Sequence, residues 1–319
     1  MRTAVVILNW NTRDYLKKWI PALIESCEGR DAAVIVADSH STDGSLEMLS
    51  EEFPQVRQIA LSDNFGFTGG YNRALAQIEA EFFVLINSDI EVSPGWLDAL
   101  LDWMDSHPEC GVCGPKLLSM NQRDRFEYAG AAGGYLDFFG FPFCRGRVLS
   151  RTETDKGQYD SPAPVSWVSG ACLMVRSSLW KELGGLDDRF FAHMEEIDFC
   201  WRARCLGSEI WNVPQSVVWH LGGGTLPQKS PEKLFLNFRN NLLMLDGNLP
   251  AASRWLIPLR MVMDGAAAAM WLLTGRKKYF RAVVRAHDSF RELRRKNEKG
   301  KKINMLSHKL IAIEYLKLS

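Results

Sequence analysis

Phe82-Phe-Val-Leu-Ile-Asn-Ser-Asp-Ile-Glu91 decides the fold. Its first five residues are apolar without alternation, the pattern of a strand buried on both faces of a parallel sheet. The run closes on Asn87-Ser-Asp89, and in open α/β sheets ligands bind beyond the carboxyl ends of the strands. Asp89 is therefore read as a ligand of a divalent metal that also holds a diphosphate; a solvated helix-entry turn is the other reading. Ser93-Pro94 then predicts a helix start, with Ser93 as N-cap and Pro94 at the first helical position.

Upstream, the same pattern recurs. Buried runs over residues 3–8 and 32–37 end at Asn9-Trp-Asn11 and at Asp38, and a third strand over 56–61 is followed by Asn64-Phe-Gly-Phe-Thr-Gly-Gly70. Helical spacing (Tyr15, Leu16, Trp19, Leu23) fills residues 14–27, Ser45 opens a second helix, and a third is predicted over 71–78. The order βαβαβαβ implies an open parallel sheet with helices on both faces. Its polar clusters converge on one sheet edge, which points to nucleotide binding. No G-x-G-x-x-G follows the first strand and no G-x-x-x-x-G-K-[ST] occurs, which excludes a dinucleotide fingerprint and a P-loop.

Beyond the decisive strand, a helix is predicted over 97–104 and a short strand at Val112, with Pro115-Lys-Leu117 leading away from it. Residues 119–165 carry Gly, aromatics and charge without a clear period and are read as an acceptor-side insertion, part loop. Within it, Phe138-Phe-Gly-Phe-Pro-Phe143 is either a lid, an acceptor or membrane contact, or a hydrophobic plug. Order resumes at 165–170, a short helix over 178–183 stops at Gly184-Gly185, and a helix over 196–206 pairs Asp198 with Arg202. A strand over 208–214 and Val217-Val-Trp-His220 lead into Gly222-Gly-Gly224, followed by Lys229, Lys233, Arg239 and Asn240.

The 319 residues are 46% hydrophobic and 24% charged, an ordinary globular balance long enough for one large domain and an appendage. Net charge is zero but uneven: residues 276–319 hold 14 basic and 4 acidic side chains, the remainder 24 and 34. Such a basic tail suits an anionic partner; it lacks interleaved aromatic readout residues, so nucleic acid is not expected. Seven cysteines form no regular framework and fit a reducing compartment. Cys110-Gly-Val-Cys113 has no second pair and reads as two small buried hydrophobes. Met1-Arg-Thr runs straight into a strand, so no signal peptide is expected.

These motifs, in this order, resemble family 2 glycosyltransferases of the GT-A fold, in the branch of rhamnosyltransferase-like enzymes. The residues that carry the resemblance are Ile7-Leu-Asn-Trp-Asn11, Val36-Ala-Asp-Ser-His-Ser-Thr-Asp-Gly-Ser45, Asn64-Phe-Gly-Phe-Thr-Gly-Gly-Tyr-Asn72, Leu85-Ile-Asn-Ser-Asp89, Ser169-Gly-Ala-Cys-Leu-Met-Val175, Gly184-Gly-Leu-Asp187, Met194-Glu-Glu-Ile-Asp-Phe-Cys-Trp-Arg202 and His220. The resemblance implies an α/β fold: a mixed, mostly parallel sheet between helices, with a C-terminal helical extension. It divides the chain into a catalytic domain over 1–245, with a nucleotide-sugar half (1–115) and an acceptor half (116–245), and a basic amphipathic region over 246–319.

By the same resemblance, Asp38 accepts a hydrogen bond from the pyrimidine of a UDP- or dTDP-sugar; a cap role in its loop is the alternative. Asn9, Asn11, Asn64, Gly66, Phe67, Gly70, Asn72 and Asn87 line the donor, with the glycines, including Gly69, letting backbone approach ribose or phosphate. Asn87-Ser-Asp89 stands in the place of the family's Asp-x-Asp motif. Asp89 and His220 hold Mg²⁺ or Mn²⁺, Asp89 supplying the only charge at the strand end. Trp167 approaches sugar or acceptor, and Arg239 a phosphate. Glu196 aligns with the catalytic carboxylate, usually Asp, that takes the acceptor hydroxyl proton in an inverting transfer. The expected acceptor is a hydroxyl of a glycan, lipid-linked and destined for the cell surface. The Asn87 and Glu196 departures keep an inactive glycan- or membrane-binding homologue as the alternative.

Residues 249–275 are apolar and helical but interrupted by Arg254, Arg260 and Asp264, so no transmembrane helix is expected. Trp255, Leu256, Leu259, Met263, Trp271 and Leu272, followed by Arg276-Lys-Lys278, predict an interfacial helix on anionic lipid, or else a helical pair packed on the core. The expected location is cytoplasmic, peripheral at the inner face of the plasma membrane. A homodimer is compatible with the sequence, which does not fix the oligomeric state.

Overall fold

The computed structural model describes residues 1–222, 230–294 and 302–317. Gly223, Gly224, Lys229 and the 295–301 part of the basic tail lie outside the described residues.

The first half alternates β1 (Thr3–Asn9), α1 (Arg13–Cys27), β2 (Ala32–Asp38), α2 (Ser45–Glu52), β3 (Arg57–Ala60), α3 (Gly66–Leu75) and β4 (Phe82–Ile86). β1 pairs in parallel with both β2 and β4, and β2 with β3. Successive residues of each strand face opposite layers. In β1, Val5 and Ile7 pack with Leu16, Ile20 and Phe82 on one face, while Ala4 and Val6 pack with Tyr71, Ala74 and Phe83 on the other. The core is thus two apolar slabs divided by the sheet, which is why β1, β2 and β4 read as unbroken apolar runs, while β3, at the edge, does not.

Next come β5 (Ile90–Val92), α4 (Trp96–Ser106), β6 (Cys110–Ser119), a small antiparallel sheet of β7 (Gly134–Leu136), β8 (Pro142–Cys144), β9 (Arg147–Val148) and β10 (Arg151–Thr152), then β11 (Ala163–Pro164), β12 (Cys172–Arg176), α5 (Ser177–Leu183), α6 (Glu195–Cys205) and β13 (Glu209–His220). The main sheet runs β11-β13-β6-β12-β4-β1-β2-β3, with β5 also on β13. It is mixed: β12 is antiparallel to β4 and β6.

Several boundaries differ from the sequence reading. The helix at Ser93-Pro94 begins only at Trp96, capped by Gly95 at φ 74°; Ser93 instead accepts the Trp96 N–H through its carbonyl at 3.2 Å. The third helix begins at Gly66, so the glycines belong to it. Pro115-Lys-Leu117 does not lead away but continues β6, a ten-residue strand. The pieces at 208–214 and 217–220 are one strand, β13, whose register against β6 slips between Val213 and Val217, opposite Pro115; proline is tolerated at such a bulge. The insertion is held to the main sheet by buried Lys116, 2.8 Å from Asp155 and also bonded to Asp160.

The C-terminal region is α7 (Pro231–Asn248), α8 (Leu256–Leu273), α9 (Lys277–Leu293) and α10 (Ile311–Lys317). On its inner side α8 buries Arg260 and Asp264, 3.1 Å apart. Arg260 also donates to Asn241 Oδ1 at 2.6 Å and stacks over Phe141, 3.5 Å from the ring centre. The Phe138–Phe143 cluster is therefore a plug between insertion and α8, with Phe138 against Trp255 as well. Contrary to the expectation from its charges, the helical stretch Ala251–Leu273 is 23 residues long and is long and apolar enough, by length and composition, to cross a membrane. The two charges at its centre, Arg260 and Asp264, are both buried against the rest of the protein.

Candidate functional site

The sheet's register builds the site. β5 pairs antiparallel with the end of β13, placing Ile90 opposite His220. Asp89, one residue earlier, then meets the imidazole: Asp89 Oδ1 lies 3.2 Å from His220 Nε2. Both side chains are buried. On the other ring nitrogen, Nδ1, stands Glu127 Oε1 at 3.5 Å. Burial alone lowers a histidine, but the two flanking carboxylates outweigh it and raise His220 to about 10, while His220 holds Asp89 below its usual range against the desolvation it suffers.

The Asn87 N–H donates to Ala171 O at 2.9 Å, tying the end of β4 to the Ser169–Gly170 turn. Gly170 in turn abuts the second acidic group. A Cβ there would lie 3.4 Å from Glu196 Cβ, 3.6 Å from Phe67 Cζ and 3.7 Å from Glu195 Oε1. Asn87, Phe67, Gly170, Glu195 and Glu196 thus share one wall. Glu195 is buried and Glu196 half-buried, and the Oε2 atom of each is enclosed without a hydrogen-bond partner. Burial pushes Glu196 up to about 7 and, with the Glu196 charge beside it, Glu195 well above the carboxylate range. Like-charged neighbours in a dry wall cannot both ionise easily, so Glu195 keeps the proton and Glu196 ionises near neutrality.

The loop that presents this pair is strained. Phe191, His193 and Met194 all have left-handed φ, at 62°, 70° and 70°, a conformation that non-glycine residues hold only under external restraint. Asn240 supplies it, donating to the carbonyls of Phe190, Ala192 and His193 at 2.9, 2.8 and 2.7 Å. Arg239 bonds the carbonyls of Arg189 and Phe190 at 3.1 and 2.8 Å. Asn240→Ala is expected to lower stability by about 1–3 kcal/mol, read by denaturant melts; an unchanged melt would show that the loop does not depend on these bonds.

At the far side, Asp38 ends β2, buried. Asn9 Nδ2 donates to its Oδ1 at 2.6 Å and the Ser41 N–H to its Oδ2 at 2.8 Å. Thr12 Oγ1 lies 2.5 Å from Asn9 Oδ1 and 2.8 Å from Ser88 Oγ. This chain of contacts links the end of β2 to the end of β4.

Several residues expected to touch the donor also make contacts within the protein. Asn9 positions Asp38, and Asn11, at φ 53°, accepts the Thr42 N–H at 2.8 Å to join two loops. Asn64 accepts the Gly66 N–H at 2.9 Å, a helix-entry turn. The glycines let protein approach closely: a Cβ on Gly66 would overlap the Phe191 ring at 2.4 Å, one on Gly69 would lie 2.8 Å from Phe65 Cβ, and one on Gly70 would overlap Leu8 at 2.7 Å. Asn72 grips the Leu186 backbone at 2.8 and 2.9 Å. Trp167 lies in the core, its Nε1 donating to Tyr135 O at 3.1 Å. Arg239 is turned to the carbonyls above rather than to a phosphate.

Glu127 was not legible: it lies in the aperiodic insertion and reaches His220 only through the tertiary fold. Among the described residues no group of three His, Cys, Asp or Glu side chains forms a complete metal shell. The Asp89–His220 pair, a hard oxygen and an imidazole nitrogen on the same side, is nonetheless a donor set suited to Mg²⁺ or Mn²⁺ completed by phosphate and water oxygens.

Comparison with known proteins bears on the family and the fold. A family model described as "Glycosyl transferase family 2" matches residues 4–183. The chain is 27% identical over 285 residues to the N-acetylglucosaminyl-diphospho-decaprenol L-rhamnosyltransferase of Mycobacterium tuberculosis, covering 83% of this chain and 90% of that one. It is 22% identical over 219 residues to the rhamnosyltransferase WbbL of Escherichia coli, covering 66% and 80%. Among solved structures, GalNAc-T7 with UDP, GalNAc and Mn²⁺ aligns at TM-score 0.62 and 13% identity over 92% of this chain and 56% of its own. S. aureus TarS 1-349 with UDP-GlcNAc aligns at 0.56 and 16% over 90% and 81%. The match over β1 to α5 and the GT-A architecture around the two acidic groups lead to one conclusion: the chain belongs to glycosyl transferase family 2.

Proposed function

We propose that this glycosyltransferase is inverting and metal-dependent, and moves a sugar, rhamnose foremost, from a UDP- or dTDP-sugar to a hydroxyl of a lipid-linked glycan. The observation that carries the reading is the pairing of two acidic groups across the Ala171–Asn87 contact: Asp89 with His220 on one side, Glu196 on the other. Asp38 offers its remaining acceptor sites to the N3–H of a pyrimidine, which uracil and thymine share. Asp89 and His220 hold the divalent ion, which when bound offsets charge on the departing diphosphate. Glu196, ionised above about pH 7, takes the proton of the attacking hydroxyl, while Glu195 stays neutral. The similarity to a decaprenol-linked rhamnosyltransferase supports the lipid-linked acceptor.

The test is incubation with dTDP-rhamnose, UDP-glucose, UDP-galactose and UDP-GlcNAc, each with Mn²⁺ and a polyprenyl-diphosphate-GlcNAc acceptor. One donor is expected to transfer its sugar. No transfer and no slow donor hydrolysis from folded protein would overturn the reading.

A cytoplasmic protein acting on a lipid-linked acceptor works at a membrane face, and α8 suits it. Its outer side exposes Trp255, Leu259, Val262, Met270 and Leu273, the last by 82%. Arg276, Lys277, Lys278, Arg281 and Arg285 are exposed just beyond it, so the apolar strip ends in a cluster that complements anionic headgroups. The buried Arg260–Asp264 pair favours a helix lying in the interface over one crossing it, because lipid on all sides would strip the pair of its partners in α7 and the insertion. Each juxtamembrane cation contributes about 1 kcal/mol, so Lys277→Glu with Lys278→Glu is expected to weaken sedimentation with phosphatidylglycerol vesicles by more than about tenfold. Equal binding to neutral vesicles, or release only by detergent, would point to a spanning helix instead.

A further inference from the structure

The strand end offers a cation only one charged side chain, because Asn87 stands where the pattern it resembles has a carboxylate. The fold brings a second carboxylate to the same place from elsewhere. Glu127 lies in the turn after β6, almost fully enclosed at 5% exposure. Its Oε2 accepts the Ala129 N–H, and its Oε1 points at His220 Nδ1, 3.5 Å away. That nitrogen is enclosed and makes no hydrogen bond in this structure, so the carboxylate 3.5 Å away is the acceptor placed to take one. The chain closes over the contact at Gly222, where φ is +69° and a Cβ would stand 3.0 Å from Glu127 Oε1. His220 is thereby held between Asp89 at Nε2 and Glu127 at Nδ1.

A neutral imidazole carries its proton on one nitrogen, and the hydrogen bond made there decides which nitrogen keeps a lone pair. A carboxylate at Nδ1 can only accept. A cation bound at Nε2 would displace the proton that faces Asp89 there, and Glu127 would keep the remaining proton on Nδ1, so that the Nε2 lone pair is the one presented beside Asp89. Outer carboxylates of this kind orient a metal-binding histidine and raise its basicity.

We propose that Glu127 is a positioning residue for the cation site: it fixes the His220 tautomer that presents Nε2 beside Asp89, and it supplies the second negative charge that Asn87 lacks. The inference rests on the reading of Asp89 and His220 as metal ligands. It adds a residue outside every motif of the sequence and gives the Asn87 departure a compensation: one inner and one outer carboxylate in place of two at the strand end.

The test uses the full chain with Mn²⁺ and UDP or dTDP, free Mn²⁺ being followed by its EPR signal. Glu127→Gln preserves volume, and its amide oxygen can still accept the Ala129 N–H, but its NH₂ then faces Nδ1 and drives the proton to Nε2. Mn²⁺ affinity is expected to fall about 10–100-fold, with the metal-free melting temperature unchanged. Unaltered affinity in a folded variant would overturn the inference. Wild-type protein that binds no Mn²⁺, and is indistinguishable from Asp89→Ala, would overturn the metal reading and the inference with it. Should Glu127→Gln not fold, long-range ¹H–¹⁵N NMR of wild-type His220 with Mg²⁺ and nucleotide decides: a proton on Nδ1 is expected, and one on Nε2 contradicts the proposal.

Discussion

Glu196→Gln is expected to lower turnover by about 10²–10⁴-fold while raising thermal stability above neutral pH. Both effects follow from one environment. The carboxylate sits in a dry wall beside Glu195, and burial raises it from 4.5 to about 7. A base with that value works only when ionised, so wild-type kcat/KM should rise with pH through an apparent value near 7 and then level. The stability effect has the opposite sense. A carboxyl whose folded value is raised binds its proton more tightly in the folded state, so wild-type stability declines as pH climbs through the window from 4.5 to about 7. Glutamine has no proton to lose and should flatten that decline. Paired pH profiles of activity and melting temperature check the prediction; a variant that loses activity and stability together at pH 8 would mark Glu196 as structural.

Asp89→Asn is expected to lower turnover on the order of 10³-fold, equivalent to about 4 kcal/mol of lost charge stabilisation. The variant keeps the shape of the strand end and removes its only charge. It also removes the partner 3.2 Å from His220 Nε2, so His220 should titrate lower, with Glu127 its remaining flanking carboxylate. The diagnostic readout is the metal: Mn²⁺ should no longer strengthen nucleotide binding. A variant whose nucleotide affinity still responds to Mn²⁺ as wild type does would move the metal away from Asp89.

The two acidic groups and the sheet between them were legible because they depend on local pattern. Three buried apolar runs and a more polar fourth strand, each followed by polar residues and alternating with helical stretches, point to a parallel sheet, and β1 to β4 follow them closely. What was illegible depends on tertiary contact. The glycines at 66–70 look like a ligand loop by propensity, yet they begin α3 because only glycine lets that helix pack on Leu8 and Phe191. Pro115-Lys-Leu117 looks like an exit from its strand, but Pro115 falls where β13 slips register against β6, and the strand runs on. Asn72, Trp167 and Arg239 are residue types that bind ligands, and the fold uses their donors on its own carbonyls. Glu127 had no local signal: its partner is 93 residues away, and only the pairing of β5, β6 and β13 brings them together.

The proposed glycosyl transfer begins with donor binding, and a thermal-shift titration tests that most directly. Purified protein is melted with UDP, dTDP, GDP and CDP, each with Mn²⁺, Mg²⁺ or EDTA. A nucleotide at about 100 times its dissociation constant adds about 2.7 kcal/mol of stability. The account predicts a shift with UDP or dTDP that needs the metal and disappears in Asp89→Asn, with GDP and CDP giving none. A flat response to all four nucleotides from well-folded protein would contradict it.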